Sequence, residues 1–311
     1  MPGRRVRGGR TRTRRNPLYV LLALLSAVAL ALLAALLLLT ARRLMPEETA
    51  PPEEEPETVT VGGQEVVIDE NLAPSELEEG HFTTQADGSI TYSGQASYGI
   101  DVSAHQGEID WAAVADSGVE FAMLRIGNRG YTSGAISQDE RFEENFQAAR
   151  ENGIQLGVYF FSQAISEEEA REEAGQVLAW LDGRSLECPV AYDWEHITDD
   201  VARTDGLDGE TVTDCAIAFC QTIAEAGYTP FVYCNGMLGY LSYDVERLQD
   251  YGLWYAEYAD YPSFAYELEM WQYTDEGTVA GISGPVDRNI WLLDTAADAA
   301  QTEDDADGAG S

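Results

Sequence analysis

The sequence predicts an α/β protein whose main domain is an irregular, flattened β/α barrel, with about five β/α units followed by three strands. Residues 98–293 alternate short apolar, β-rich runs with amphipathic segments of helical period. The last three β-rich runs lie too close together for full helices between them, which argues against a regular eightfold barrel. A long apolar run near the N-terminus adds a predicted transmembrane helix.

The apolar run covers residues 18–39 and contains one polar side chain, Ser26. As a helix it would extend roughly 33 Å, the thickness of a bilayer's hydrocarbon core. Seven Arg precede the run, and only Arg42 and Arg43 follow it closely. The positive-inside rule therefore predicts a cytoplasmic tail over 1–17, a single-pass helix over 18–40 and an extracellular remainder. A cleaved signal peptide is the alternative, although its apolar region is usually only about 7 to 15 residues long.

Charge is distributed very unevenly along the chain. Residues 1–43 carry nine Arg and no acid, whereas everything after them carries nine Arg against 55 Asp and Glu. Such an acidic surface repels nucleic acid and anionic lipid, so a nucleic-acid partner is excluded.

Three further segments flank the predicted barrel. Residues 41–58 are acidic and Pro-rich, which predicts an extended linker, and residues 294–311 have the composition of a disordered acidic tail. Between the linker and the barrel, residues 59–97 predict a small β-containing element, because they contain an Asp87-Gly88 turn signal and short β-like runs at 58–61, 65–68 and 89–92.

Within the predicted barrel, eight runs have the composition of strands. They are residues 99–103, 121–126, 155–162, 189–194, 229–234, 253–258, 270–274 and 286–291. Helical periodicity occurs over residues 139–152, 167–181 and 211–226, and Asp110-Trp111 is placed to open a further helix.

The strongest local signal is the passage Cys-Pro-Val-Ala-Tyr-Asp-Trp-Glu at residues 188–195, an apolar strand that ends in Asp193 and Glu195. Side chains two apart share one face of a strand, and chemistry in β/α barrels collects where strands end. Paired carboxylates suit glycoside hydrolysis, because the neighbouring charge keeps one acid protonated. A lone Asp-x-Glu is more often an ordinary loop start, so this motif needs a second signal.

That signal is the passage Tyr-Gly-Ile-Asp-Val-Ser-Ala-His-Gln-Gly-Glu-Ile-Asp-Trp at residues 98–111, which delivers Asp101 to the end of a strand. Together the two passages resemble family 25 glycoside hydrolases, the lysozymes of the Chalaropsis type. The resemblance covers residues 98 to about 291. Further passages resemble the family in the same order, at residues 121–125, 142–146, 157–162, 253–258, 271–277 and 284–289.

The resemblance implies a lysozyme, an N-acetylmuramidase that cleaves the β-1,4 bond between N-acetylmuramic acid and N-acetylglucosamine in peptidoglycan glycan strands. Glu195 would be the acid/base and Asp193 the assisting carboxylate. Asp101 and Asp287 match the family's other two site acids. They are expected at the ends of the first and last strands, which are neighbours in a closed barrel. A structural role is the alternative for both. No metal or cofactor is implied.

Aromatic residues near strand ends are candidates for stacking on sugar rings, with core packing as the alternative for each. They are Tyr159, Tyr233, Trp254 and Tyr273. Arg125 matches a family position at which an ion pair with a site acid is plausible. The four Cys either form disulfides outside the cytoplasm or are buried thiols.

Asp193 is predicted to steady the substrate's own N-acetyl group as the nucleophile, although the residue spacing leaves the stereochemical outcome open. A catalytically silent wall-binding module is the alternative function, and the presence of both Asp193 and Glu195 argues against it. A chitinase-like hydrolase is the nearest enzymatic alternative, but it would lack the Asp-Val-Ser start and the Trp-Gln-Tyr-Thr strand. The sequence does not indicate the oligomeric state or the preferred type of peptidoglycan.

Overall fold

The structure is a computed structural model that describes residues 17–44, 56–198 and 200–293. The chain divides into two units, over residues 1–55 and 56–311, and each is described by itself. The predicted tail at 294–311 and nearly all of the predicted cytoplasmic segment lie outside the described residues, as does most of the predicted linker. The predicted domain boundaries stay predictions.

In the first unit the described residues form a helix, α1 (Pro17–Leu44). Its part over Leu21–Thr40 is long and apolar enough to cross a membrane, and its side chains are exposed. The hydroxyls of Ser26 and Thr40 donate to carbonyls four residues earlier, at 2.9 and 3.0 Å, so both are satisfied within the helix. A signal sequence meets the same criteria of length and composition, and the single-pass anchor therefore stays a prediction.

The second unit contains the barrel and the short strands that precede it. The strands are β1 (Thr58–Val61), β2 (Gln64–Val67), β3 (Phe82–Thr84), β4 (Ile90–Tyr92), β5 (Ala96–Val102), β6 (Phe121–Arg129), β7 (Ile136–Gln138), β8 (Gln155–Ser162), β9 (Val190–Trp194), β10 (Pro230–Asn235), β11 (Gly252–Ala256), β12 (Met270–Gly277) and β13 (Val286–Leu292). The helices are α2 (Trp111–Asp116), α3 (Phe142–Glu151), α4 (Glu167–Leu181), α5 (Gly209–Glu225) and α6 (Gly236–Leu241).

Eight strands close into a barrel in the order β5-β13-β12-β11-β10-β9-β8-β6, and β6 pairs again with β5. All neighbours are parallel except β13, which is antiparallel to both β12 and β5. Strand β7 pairs with the last three residues of β6, which lie past its pairing with β5. Each of the first five barrel strands is followed by a helix, α2 to α6, whereas the described connections after β11 and β12 contain none. The predicted irregular β/α barrel is therefore confirmed.

Strand side chains alternate between two cores, because successive residues of a strand point to opposite faces. The outer core lies between the strands and their helices, and a smaller core fills the barrel interior. Two glycines make room for interior rings. A Cβ on Gly99 would lie 2.5 Å from the ring of Phe121, and one on Gly252 would lie 2.1 Å from the ring of Phe231. These close approaches explain why both positions lack a side chain.

The segment before the barrel forms two hairpins, β1–β2 and β3–β4. The strand predicted near residue 90 is present, but its partner β3 was not predicted. Phe82 and Ile90 are buried in the outer core, and the Phe82 ring meets the Trp271 ring of β12 at 5.3 Å between centroids. The hairpin β3–β4 therefore packs against a strand that no helix covers among the described residues.

The same segment also forms hydrogen bonds with the connection between β11 and β12. The amide of Ser75 donates to the Ala265 carbonyl at 2.9 Å, and the hydroxyl of Thr84 donates to the Asp260 carboxylate at 2.7 Å. This connection borders the open end of the barrel, so the segment supports one side of that rim.

The four cysteines are free and buried. Burial raises the pKa of Cys188 and of Cys215 to about 12, which keeps both thiols protonated and unreactive at neutral pH. Of the two alternatives left by the sequence, the structure has the buried thiols.

Candidate active site

The polar end of the barrel is the end at which its parallel strands finish. A cavity of about 260 Å³ opens there. It is lined by Asp101, Ser103, His105, Gln106, Arg125, Tyr159, Phe161, Asp193, Glu195, Tyr233, Trp254, Tyr258, Gln272 and Asp287. All four predicted catalytic acids are among these residues. Of the other predicted site residues, only Tyr273 lies elsewhere.

Asp193 points into the barrel near the end of β9, and Glu195 follows directly after the strand. The flanking Tyr192 and Trp194 point the other way and are fully buried in the outer core. Alternation along the strand therefore sends both acids into the cavity. Asp193 is only 5% exposed, whereas Glu195 is more open to solvent.

Asp101 and Asp287 are direct register partners on β5 and β13. Asp101 lies near the end of its strand, but Asp287 lies at the start of its strand rather than at the predicted end. Because β13 runs antiparallel to its neighbours, its start lies at the same rim as the ends of the parallel strands. Two acids 186 positions apart in sequence thus meet beside the Asp193 and Glu195 pair.

Burial dominates the electrostatics of the central pair. It raises the pKa of Asp193 well above its ordinary value, and the charges of Glu195 and Asp101 raise it further. Burial also raises the pKa of Glu195, against the effect of a hydrogen bond shared with Asp193. The pair therefore retains a proton at pH values at which isolated carboxyl groups are ionised.

The outer two acids are shifted in the same direction by different amounts. Burial raises the pKa of Asp101 to about 6, although hydrogen bonds from two amide side chains oppose the shift. Burial and the charge of Asp101 raise the pKa of Asp287 to about 8. The cavity thus holds four carboxyl groups that do not all ionise together near neutral pH.

Arg125 projects into the cavity from β6, as predicted, but its ion-pair partner is not one of the four site acids. Its Nε and its terminal nitrogen both lie 2.8 Å from Oδ2 of Asp139, a buried carboxylate that follows β7. Asp139 also accepts from the amide of Ala104 at 3.0 Å. Arg125 still lowers the pKa of Asp193 by its charge.

Three of the four predicted sugar-stacking residues lie in the cavity, but two are deeply buried. Trp254 is 1% exposed and Tyr233 is 8% exposed, and their rings meet edge to face at 5.0 Å between centroids. Tyr159 contacts the same Trp254 ring at 5.9 Å and is more exposed. These residues form the floor of the cavity, and Tyr159 offers the most accessible surface of the three.

The prediction that Tyr273 lines the cleft is wrong. Met270 and Gln272 face the barrel interior, so alternation turns Tyr273 to the outside of β12. There it is buried in the outer core, against Trp271 and beneath the guanidinium of Arg288. It borders a separate cavity on the outside of the barrel.

Several residues of the site were not predicted from the sequence. Gln272 and Asn289 lie in motifs that carried the family resemblance, two residues from the inward-facing Met270 and Asp287, and alternation applied strictly would have found both. Tyr258 projects from the connection after β11 and is 54% exposed at the cavity. Gln163, one residue beyond β8, has no distinguishing signal in the sequence.

Gln163 ties the backbone of Glu195 to its surroundings. Its side chain is fully buried, donates to the Glu195 carbonyl at 2.9 Å and accepts from the Thr204 hydroxyl at 2.8 Å. Arg203 donates to the Gln163 carbonyl and forms two short bonds to the Glu169 carboxylate. The connection between β9 and α5 is thus fixed next to the acid that it carries.

A family model described as glycosyl hydrolases family 25 matches residues 100–282. The chain belongs to this family. The match includes Asp101, Asp193 and Glu195, and it ends before Asp287. The four-carboxylate cavity is therefore the candidate active site of a family 25 glycoside hydrolase. Among the described residues, no group of three or more His, Cys, Asp or Glu side chains is placed to hold a metal ion.

Several proteins resemble the family 25 domain in sequence. The uncharacterized protein YegX of Escherichia coli K12 is 30% identical over 205 residues, covering 62% of this chain and 69% of YegX. Lysozyme M1 of Streptomyces globisporus is 30% identical over 213 residues, covering 61% of this chain and 66% of that protein. The autolytic lysozyme of Clostridium acetobutylicum is 28% identical over 194 residues, 61% of this chain and 54% of the lysozyme.

Solved structures share the fold of the family 25 domain. The modular autolysin LytC of Streptococcus pneumoniae has a TM-score of 0.56 and 24% identity, covering 76% of this chain and 52% of LytC. The spore cortex lytic enzyme SleM of Clostridium perfringens has the same TM-score and identity, covering 65% of this chain and 68% of SleM. This chain thus spans about half the length of LytC and of the autolytic lysozyme.

Proposed function

We propose that this chain is a peptidoglycan hydrolase, an N-acetylmuramidase that cleaves the β-1,4 bond between N-acetylmuramic acid and N-acetylglucosamine. The observation that carries the proposal is the pairing of a buried Asp193 with a partly exposed Glu195 at the mouth of a family 25 barrel. Relatives named as lysozymes support the choice of substrate.

Glu195 donates the proton to the leaving glycosidic oxygen in this proposal. It is the more solvent-accessible member of the central pair, and burial raises its pKa, which favours the protonated form that an acid catalyst needs. After the leaving group departs, the Glu195 carboxylate accepts a proton from the attacking water. The charges of Arg125 and of the ionised acids determine the electrostatic potential at the sugar ring, on which positive charge develops in the transition state.

Asp193 steadies the substrate's N-acetyl group as that group attacks the anomeric carbon. In support, Oδ1 of Asp193 is buried and has no hydrogen-bond partner among the described residues, so it is free to accept from the acetamide N–H. Asp193→Asn should lower kcat by roughly two or more powers of ten with little change in binding, as for an interaction made mainly in the transition state. Mass spectrometry of the parent protein, quenched during turnover, checks the role independently, since a sugar ester on Asp193 would show that this carboxylate attacks the sugar directly.

The proposed location is the cell membrane, with the barrel outside and the N-terminus inside. Helix α1 and the excess of Arg before it support this orientation. Protease added to intact spheroplasts should digest the barrel, and complete protection of the chain would contradict the orientation.

The proposed function is tested by digestion of purified peptidoglycan with residues 56–311, followed by mass spectrometry of the soluble products. We expect muropeptides that end in reducing N-acetylmuramic acid. Products that end in reducing N-acetylglucosamine would assign a different bond. Binding to peptidoglycan without any product would favour the catalytically silent wall-binding module.

A further inference from the structure

Asp101 is held in the cavity by two buried amide side chains. Its Oδ2 accepts from Nε2 of Gln272 at 2.9 Å and from Nδ2 of Asn289 at 2.8 Å. Asp101 is 6% exposed, Gln272 4% and Asn289 1%. Both bonds go to the same carboxylate oxygen, so Asp101 is fixed as an acceptor.

An amide side chain can rotate and exchange its donor for its acceptor, so something must hold these two in place. For Asn289 the holding group is Trp254, whose indole Nε1 donates to Oδ1 of Asn289 at 2.8 Å. An indole N–H can only donate. Rotation of Asn289 would therefore turn two donors towards each other and leave a carbonyl oxygen facing the Asp101 carboxylate.

Gln272 on β12 is held in a similar way, by one tyrosine on β10 and another in the connection after β11. Its Oε1 accepts from the Tyr233 hydroxyl at 3.0 Å and from the Tyr258 hydroxyl at 3.3 Å. Two donors on one oxygen leave the Gln272 nitrogen to face Asp101. Because Tyr233 and Trp254 are deeply buried, the hydrogen bonds that they make favour a role in the framework over a role as a sugar-binding surface.

We propose that Trp254 and Tyr233 are positioning residues which, through Asn289 and Gln272, keep Asp101 ionised beside the protonated Asp193 and Glu195 pair. The catalytic consequence rests on the proposed function, whereas the hydrogen-bond orientation does not. Two donors that point at one carboxylate favour its charged form. Among the described residues Asp193 has no comparable pair of donors, so the charge is assigned to Asp101 and the retained proton to the Asp193 and Glu195 pair.

Other ionisable groups also face Asp101, and the test must separate their effects from those of the amides. They are Asp287 on β13, Asp193 and Glu195 at the end of β9, Arg125 on β6, Tyr159 on β8 and Tyr258 after β11. Changing Trp254 or Tyr233 to Phe removes none of these groups. Tyr233→Phe deletes one hydroxyl and the hydrogen bond that it donates to Gln272. Trp254→Phe deletes the hydrogen bond to Asn289 together with part of a ring that contacts Tyr159 and Tyr233, so a control for the lost ring volume is needed.

The experiment compares Trp254→Phe with the matched control Trp291→Phe. The Trp291 indole packs in the same interior core, against Phe121 and Phe231. Carboxyl ¹³C NMR titration of residues 56–311, with Asp101 assigned through Asp101→Asn, gives the pKa without need of activity. We expect the Asp101 pKa to rise by roughly one unit or more in Trp254→Phe and to stay unchanged in the control.

The profile of kcat/KM against pH gives the second readout. The acidic limb should move to higher pH by a similar amount in Trp254→Phe, with kcat affected more than KM. Tyr233→Phe should produce a smaller shift in the same direction, and it carries the test if Trp254→Phe does not fold. An unchanged Asp101 titration in the folded variants would overturn the proposal. A wild-type chain with no activity on peptidoglycan would overturn the proposed function instead, while the NMR result would still decide this one.

Discussion

At the scale of single residues, the two central acids differ in their depth in the cavity, in keeping with the different tasks proposed for them. Glu195 lies at the mouth of the cavity, where a leaving oxygen can reach it. Asp193 lies two residues earlier along the chain, on β9, and is deeper in the barrel. Glu195→Gln preserves shape but cannot donate a proton, so we expect kcat to fall by about two to four powers of ten with binding retained. Release of soluble muropeptides measures kcat, and pull-down with insoluble peptidoglycan measures binding. A variant that kept more than about a tenth of wild-type turnover would contradict the acid/base assignment.

Tyr258 and Tyr273 allow the accessible aromatic surface to be compared with a buried one. Tyr258 is 54% exposed at the cavity, whereas Tyr273 is 4% exposed in the outer core. Tyr258→Ala should raise KM about tenfold, in line with the loss of a stacking contact, with little effect on the melting temperature. Tyr273→Ala should lower the melting temperature by several degrees and leave KM unchanged. Steady-state kinetics and thermal melts of the two variants distinguish these outcomes, and the reverse pattern would return Tyr273 to the cleft.

Some residues of the candidate site could be predicted from sequence patterns, and others could not. Asp193, Glu195 and Asp101 could be predicted because each lies at or just after the end of an apolar strand, within a distinctive motif. The error at Tyr273 came from choosing the aromatic residue of the Trp-Gln-Tyr-Thr motif rather than the inward-facing one, Gln272. Composition suggests what a residue can do, but the strand period decides which cavity it reaches.

At the scale of elements, strands with strong apolar patterns could be predicted and those defined by a partner could not. The eight barrel strands are buried and carry their own signal. Strands β3 and β7 are three residues each and pair with a neighbour that must already be in place. The antiparallel direction of β13 was also not predicted, since direction depends on the connection after β12 rather than on the strand's own composition.

The connection between β9 and α5 gives an element-scale prediction through Gln163. Gln163→Ala removes both the bond to the Glu195 carbonyl and the bond from Thr204. We expect kcat to fall by about tenfold or more while KM changes little, because a small displacement of a positioned acid is costly. Gln147→Ala on the exposed face of α3 is the matched control. Loss of thermal stability with unchanged kcat would show that Gln163 is only structural.

At the scale of the whole molecule, the buried acids make stability depend on pH in an unusual direction. The pKa of Asp101 is raised to about 6 and that of Asp287 to about 8, both from about 3.8. An acid whose folded pKa exceeds its unfolded value binds more protons when folded. Its stabilising effect is complete below the unfolded pKa and is lost as pH rises through the folded one. Acids with lowered pKa values, such as Glu169, act in the opposite direction but only at lower pH.

We therefore expect residues 56–311 to melt at a lower temperature at pH 8 than at pH 5, by roughly 5 °C or more. Self-repulsion of the acidic surface acts in the same direction. Scanning calorimetry across this range measures the effect, and the double variant Asp101→Asn with Asp287→Asn should flatten it. A melting temperature that rose with pH would contradict the assigned shifts.

Strands β5 and β13 form the seam at which the barrel begins and ends. At one end of the seam Asp101 faces Asp287, and at the other Ala96 faces Leu292. The amide of Leu293 even donates to the Gln95 carbonyl at 2.9 Å. Chain entry and exit thus sit side by side at the end of the barrel opposite the carboxylates. Such a barrel could be inserted into a surface loop of a host protein without forcing the two ends of that loop apart. The carboxylate cavity, at the opposite end of the barrel, would remain accessible to solvent.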